Sequence, residues 1–207
     1  MRLTLTQFTT LDGVVQGPGG RDEDPSEGFT QGGWSMRYAQ ADFGRLIGGW
    51  FERADAFLLG RRTYDIFAGY WPKVTDPADP VASRLNGLPK YVVSQTLEHP
   101  AWQGTSVLGG NAAEQVAELK RQGDGELQIH GSGTLARYLL AHGLIDELRL
   151  LVHPVVLGNG RRLFAAGSPP AALRLTGVES TESGIVVQTY EPAGEPEYRT
   201  VPPPDGV

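Results

Sequence analysis

The chain has 207 residues, 40% of them hydrophobic, with 18 basic and 24 acidic side chains and a net charge of −6. That length supports one well-filled core, and the acidic balance excludes a general binder of nucleic acid or of anionic membrane surfaces, because like charges repel. Cysteine is absent, which removes disulfides, thiolate metal sites and a cysteine nucleophile from consideration.

The N-terminus, MRLTLTQFTT, alternates apolar and polar residues and lacks the continuous apolar core of a signal peptide. No segment reaches the length of a membrane span. These features predict a soluble, cytoplasmic protein. Leu3, Leu5 and Phe8 mark the first strand by their period of two, and Asp12-Gly13 marks a turn after it. Gly17 to Gly33 reads as a long loop rich in glycine and acid, a length that is more often functional than idle. Met36, Ala39, Phe43, Leu46, Ile47, Trp50 and Phe51 fall at helical spacing and predict one amphipathic helix. Ala56 to Leu59 is a short buried strand closed by Gly60. Arg61-Arg62-Thr63-Tyr64 opens a second helix that Trp71-Pro72 ends. Lys73 to Leu88 reads mainly as loop, with a short helix around Val81 to Leu85.

Tyr91 to Val93 predicts another strand, Val107-Leu108 a further one, and Val116 and Leu119 the core side of a helix from about 112 to 122. Leu127 to Ile129 is a buried strand, followed by the turn Gly131-Ser132-Gly133-Thr134. Leu135, Leu139, Leu140 and Leu144 then continue at helical spacing. Leu148 to Val152 and Val155 to Leu157 predict a β segment interrupted at Pro154. Ala172 to Val178 and Ile185 to Tyr190 alternate as a closing antiparallel hairpin with its turn near Ser183-Gly184. Strands alternating with helices imply an α/β fold with a mainly parallel sheet covered on both faces, made mixed by the hairpin. The predicted organisation is one domain over 1–191 and a loosely ordered, proline-rich tail over 192–207.

Three strand ends share one chemistry. Gly60-Arg61-Arg62-Thr63, Ser94-Gln95 and Gly131-Ser132-Gly133-Thr134 each follow an apolar strand with small or donor-bearing residues. Ligands of open α/β sheets bind outside such carboxyl ends. Glycines let backbone approach a ligand, and a helix N-terminus offers free N–H groups and partial positive charge. Arginines at a helix start oppose the dipole, so the pair suits a bound dianion. The other reading is that Thr63 caps the helix and both guanidiniums are solvated. The four histidines, His99, His130, His142 and His153, have no metal-like spacing, so no metal is expected.

Taken together, TLDGVV (10–15), GGW (32–34), DAFLLGRRTYDIFAGYWP (55–72), YVVSQTL (91–97) and HGSGTLARYLLAHGLIDELRLLVHPVVLGNGRRLF (130–164) resemble the dihydrofolate reductase superfamily. The branch they resemble contains the reductase domain of the bacterial bifunctional riboflavin-biosynthesis deaminase-reductase. The resemblance implies a three-layer α/β/α sandwich around a mixed, mostly parallel sheet of about eight strands, a homodimer, and NADPH as hydride donor. Carried over by position, Gly60, Arg61, Arg62 and Thr63 would hold the cofactor phosphates, with Ser94 and Gln95 completing the pocket. Gly131, Ser132, Gly133, Thr134 and Leu135 would cradle the pyrophosphate. Thr10, Leu11, Gly13, Val14 and Val15 would line the nicotinamide. Trp34, Phe67 and Trp71 would face a flat substrate.

Gly158-Asn159-Gly160-Arg161-Arg162 resembles a loop near the substrate, and Asp146-Glu147 reads as a structural junction. Asp12 is taken as the catalytic carboxylate, with Asp22, Glu27 and Asp42 as other acids nearby. The implied function is NADPH-dependent reduction of a small heterocycle, ribosylaminouracil-like or pterin-like. The alternative is a non-catalytic nucleotide- or pterin-binding module on the same fold.

Overall fold

The computed structural model describes residues 1–200. Eight strands form one sheet: β1 (Arg2–Thr10), β2 (Ala54–Gly60), β3 (Lys90–Val93), β4 (Thr105–Leu108), β5 (Glu126–His130), β6 (Glu147–His153), β7 (Leu173–Ser180) and β8 (Val186–Pro192). Their order is β4-β3-β2-β5-β1-β6-β8-β7. The first six pair in parallel. β8 lies antiparallel to β6, and β7 antiparallel to β8, which is the closing hairpin the alternation predicts. The fold is an α/β sandwich around a mixed, mostly parallel sheet.

Five helices cover the sheet: α1 (Ala41–Phe51), α2 (Arg61–Tyr70), α3 (Pro80–Gly87), α4 (Ala112–Arg121) and α5 (Gly133–Ala141). On one face Val116, Leu119, Leu135, Ala136 and Leu139 of α4 and α5 pack on Leu3, Leu5, Leu58, Leu127 and Ile129. On the other, Ile47, Trp50 and Phe51 of α1, Tyr64 of α2 and Leu85 of α3 pack on Phe57, Leu59, Val92 and Leu151. The alternation of side chains along each strand serves both layers.

Three local expectations change. The helix predicted from Met36 is a 3₁₀ turn (Met36–Tyr38) followed by a break, because Ala39 (φ −77°, ψ 77°) and Gln40 (φ −96°, ψ 178°) leave helical space. Met36 is therefore exposed rather than on the core stripe. The β segment predicted across Pro154 ends at His153, since proline has no N–H for the ladder. The short helix around Val81 is a full α3, started by Pro80 and capped by Asp79, whose Oδ1 accepts from Val81 N (2.9 Å) and Ala82 N (3.0 Å). Residues 193–200 follow β8 without helix or strand, and the rest of the predicted tail, 201–207, lies outside the described residues. Among the described residues no helix is long and apolar enough to cross a membrane.

Candidate functional site

β2 and β5 are neighbours, so their carboxyl ends deliver the starts of α2 and α5 side by side. Neither helix has a side-chain cap: Gly60 precedes α2 in extended backbone, and Ser132 precedes α5 in the left-handed region (φ 53°, ψ 41°). Their first-turn N–H groups thus have no intrahelical partner. The two starts clasp one another instead. Ser132 Oγ accepts from Gly60 N (3.0 Å), and Ser132 N donates to Thr63 Oγ1 (3.1 Å). Gly131 (φ +64°) precedes Ser132, so two consecutive residues are left-handed, and glycine takes the first at no steric cost.

A cleft of about 1750 Å³ opens at this edge of the sheet. Gly60, Arg61, Arg62, Thr63, Gln95 and Gly131 to Leu135 all line it, as do Val15, Phe67 and Trp71. Its charged lining is Arg61, Arg62, Arg137 and Arg161 against Glu23, Asp24 and Asp65, a local excess of positive charge on a chain of net charge −6. Phe8, Phe43, Ile47 and Phe51 join Phe67 and Trp71 as apolar lining. Phe67 and Trp71 meet edge to face, with centroids 6.3 Å apart at 78°.

Neither arginine at the start of α2 is buried. Arg61 Nε donates to both Asp65 oxygens at 2.9 Å, and Arg62 Nη1 lies 3.4 Å from Asp24 Oδ2. Arg161, from the glycine-rich loop after Pro154, pairs with Asp24 and Glu27 and donates to Ser26 Oγ (2.7 Å). Asp24 therefore sits between two guanidiniums. Burial works against its ionised form, but the Ser26 hydroxyl, Arg161 and Arg62 outweigh it and hold the carboxyl below its ordinary range. Its neighbour Glu23 goes the other way. Burial, aided by the Asp24 charge, raises its pKa against hydrogen bonds from Gly20 N and Gly19 N.

Several predicted site residues lie elsewhere. Thr10 is buried, its Oγ1 donating to Asp12 Oδ1 (2.6 Å) and accepting from Val14 N (2.9 Å). Leu11 points outward and is 68% exposed. Gly13 (φ +84°) makes the turn, and Val14 is fully buried against Phe29 and Trp34. Of the TLDGVV stretch only Val15 reaches the cleft. Trp34 is buried behind it, donating from Nε1 to Gln16 O (2.8 Å). Ser94 Oγ accepts from Thr96 N (3.2 Å) and Leu97 N (3.1 Å), closing a turn off the cleft wall.

Asp12 needs the largest correction. Its carboxylate accepts from Thr10 Oγ1, Leu157 N (3.2 Å) and Gly158 N (2.8 Å), and Arg162 Nη2 lies 3.3 Å away. Burial opposes its ionisation, yet these hydrogen bonds prevail and lower its pKa to about 2. It is absent from the cleft wall and ionised at neutral pH, and its hydrogen bonds anchor two loops. Asp22 and Glu27 are exposed, and Asp42 Oδ2 accepts from Glu182 N (2.7 Å) off the cleft. Asp146 accepts from Leu3 N (2.8 Å) and pairs with Lys120 (2.7 Å), a structural junction.

Glu23 and Asp24 line the cleft, although within the Gly17–Gly33 loop no sequence pattern marks either one. His130 lines it too, with no spacing to another residue that marks a chemical role. A polar residue at the end of a buried strand was the available signal for it.

Comparison with known proteins agrees with this architecture. Residues 2–187 match the family model described as the RibD C-terminal domain. The chain is 30% identical over 195 residues to the uncharacterized protein YyaP of Bacillus subtilis (strain 168), covering 91% of this chain and 94% of that one. Among solved structures it resembles a putative riboflavin biosynthesis protein from Shewanella sp. PV-4, with a TM-score of 0.66, 23% identity, and 93% and 99% of the two chains covered. It also resembles the dihydrofolate reductase of Enterococcus faecalis, with a TM-score of 0.58, 12% identity, and 92% and 96% covered. With the match spanning nearly the whole sheet and every cleft-forming strand end, the chain belongs to the RibD C-terminal domain family.

Proposed function

We propose that the protein is an NADPH-dependent reductase of a small, flat heterocycle of the pyrimidine or pterin kind, working in the cytoplasm as a homodimer. One observation carries the reading: two uncapped helix starts and four arginines converge on the same cleft that is elsewhere walled by aromatic rings. The Enterococcus dihydrofolate reductase of the same fold is described as complexed with NADP(H). Support for such a cofactor comes from the cleft's volume of about 1750 Å³ and from the uncapped helix starts and arginines on its wall; a Cβ on Gly133 or Gly60 would meet its neighbours only at ordinary van der Waals distance.

When bound, NADPH supplies a hydride to an electron-poor C=N or ring carbon. The protein's own contribution is position and charge. Arg61 and Arg62 would hold the phosphate that distinguishes NADPH from NADH, with Gln95 beside them. The free amides of Gly133, Thr134 and Leu135 would receive the pyrophosphate at the start of α5. Thr63, whose Oγ1 already accepts from Ser132 N, keeps its hydroxyl proton to donate. Val15 would back the nicotinamide, and Phe67 and Trp71 would stack on the substrate ring. Glu23, a cleft carboxyl whose pKa burial raises, would donate a proton to the reduced nitrogen. Leu175 and Val178, exposed on edge strand β7, would form the dimer contact.

NADPH should quench tryptophan fluorescence and raise the melting temperature, and reduced nicotinamide should be consumed when pyrimidine or pterin substrates are added. Binding without turnover across such a panel would favour the non-catalytic binding module. No binding of NADPH at millimolar concentration would reject the reductase reading and, of the module readings, the nucleotide-binding one.

A further inference from the structure

A sheet covered by helices on both faces is ordinarily apolar on both. The face under α1 breaks that rule. β5 places Glu126, Gln128 and His130 there, β1 places Thr4 and Thr6, and β6 places Arg149, while Leu3, Leu5, Leu127 and Ile129 face the other way into the α4–α5 core. Gln128 and Thr4 are fully buried, and Thr6, Arg149 and His130 nearly so. The parallel register sets Thr6 against His130 on one side and Arg149 on the other. A polar stripe thus crosses the core beneath α1 and ends at the cleft.

The hydrogen bonds along this stripe have a fixed direction. Glu126 Oε1 lies 3.0 Å from Arg149 Nη1 as an ionic contact, and accepts from Thr4 Oγ1 (2.9 Å) and Gln128 Nε2 (2.8 Å). The second Gln128 amide proton goes to Trp50 O at 2.7 Å. Both partners of that nitrogen are acceptors, so the amide has only one orientation, and Gln128 Oε1 must face His130 Nε2, 2.9 Å away. Nε2 therefore carries the imidazole proton, and Nδ1 carries the lone pair. Burial, with Arg149 adding to it, pushes the His130 pKa down to about 3, so the ring is neutral. Stacking on Phe51, 4.2 Å between centroids at 22°, fixes the ring plane. His130 lines the cleft, and Nδ1 makes no hydrogen bond with the described residues. Beside it, Thr6 also lines the cleft, 2% exposed, with Oγ1 buried and unpartnered.

We infer that His130 is a specificity-determining residue: its Nδ1 is held as a hydrogen-bond acceptor at the cleft floor and selects ligands that present a ring or amino N–H edge. Glu126 and Gln128 are positioning residues that set its tautomer. The ligand is a flat, donor-bearing heterocycle without negative charge. It is flat because Phe8, Phe43 and Phe51 line the same cleft, and not anionic because a lone pair repels an anion whereas the arginines attract one elsewhere. The inference rests on the proposed reductase reading only in taking that heterocycle as the substrate.

The test uses the whole chain labelled with ¹⁵N-histidine, with His130→Phe to assign its signal among the four histidines. At neutral pH His130 should show a pyridine-like Nδ1 and a pyrrole-like Nε2. Addition of 2-aminopyrimidine should move the Nδ1 resonance, and 2-(dimethylamino)pyrimidine, which lacks the N–H, should not. His130→Phe should weaken 2-aminopyrimidine about tenfold, the loss of one hydrogen bond, and leave NADPH binding unchanged. A pyrrole-like Nδ1, a charged ring, equal binding of the two pyrimidines, or no binding of either overturns the inference. Should His130→Phe not fold, the other three histidines are assigned by their own substitutions and the wild-type resonances decide. If NADPH fails to bind while the pyrimidines behave as expected, the reductase reading falls and this one stands; the reverse pattern separates them in the other direction.

Discussion

Asp12 and Arg61 show two opposite fates of a charged residue beside a cleft. Asp12 spends its oxygens on Thr10, Leu157 and Gly158, and these hydrogen bonds hold its pKa at about 2, so it is ionised at neutral pH. Asp12→Ala should therefore cost about 2 kcal/mol of stability in urea denaturation, by stranding two loop amides. The variant's remaining activity should keep the wild-type pH profile; loss of one limb of that profile would restore Asp12 as the proton donor. Arg61 and Arg62 are half exposed; Arg61 holds Asp65 at 2.9 Å one helical turn on and Arg62 reaches Asp24 only at 3.4 Å, solvent-screened pairs that a phosphate would displace. Their geometry was legible from a basic pair at a helix start. The role of Asp12 was not, because its partners lie 145 and 146 positions away on a loop whose path depends on Pro154 ending β6.

At the scale of elements, the clasp between α2 and α5 replaces the caps that both helices lack. Ser132 accepts a left-handed backbone, a cost of about 1 kcal/mol for a non-glycine residue, and offsets it with two hydrogen bonds to the α2 start. Ser132→Ala keeps the strain and strands Gly60 N, so it should lower stability by about 1–3 kcal/mol. Ser132→Gly loses the same hydroxyl but relieves the backbone, and should melt above Ser132→Ala. The opposite order would show that the left-handed backbone at position 132 carries no strain for a residue with a Cβ. Strand, glycine turn and helix were all readable here from periodicity, as were the β7–β8 hairpin and α4. The break before α1 was not, because Met36 and Ala39 continue the helical spacing and only the backbone at Ala39 and Gln40 departs from it.

For the whole molecule, a polar stripe inside a two-faced sheet ties stability to pH. His130 is buried neutral, and burial lowers the pKa of His153 likewise, against hydrogen bonds to Leu151 and Thr9. Unfolded, a histidine binds its proton near its ordinary 6.5, whereas folded His130 resists until about 3. The stabilisation from the neutral His130 ring is complete above pH 6.5 and is lost as pH falls toward 3, at about 1.4 kcal/mol per pH unit; His153 acts in the same direction. Urea denaturation at pH 7 and pH 5 should show that loss, and His130→Phe should reduce the slope between them. A slope unchanged by the substitution would mean that His130 is protonated in the folded chain. The alternation of Thr4 and Thr6 with Leu3 and Leu5 announced a strand, but that its polar side faces a helix depends on α1 lying there, which no local pattern records.

The most direct measurement is the ratio of NADPH to NADH affinity, by fluorescence titration of the wild type and of the Arg61→Ala/Arg62→Ala double variant. The expected result is a wild type that prefers NADPH by at least about tenfold, a factor worth one charge-assisted hydrogen bond, and a folded double variant in which the two dinucleotides bind alike. Equal binding of NADPH and NADH by the wild type, or an undiminished preference in the double variant, would contradict a phosphate site at the start of α2.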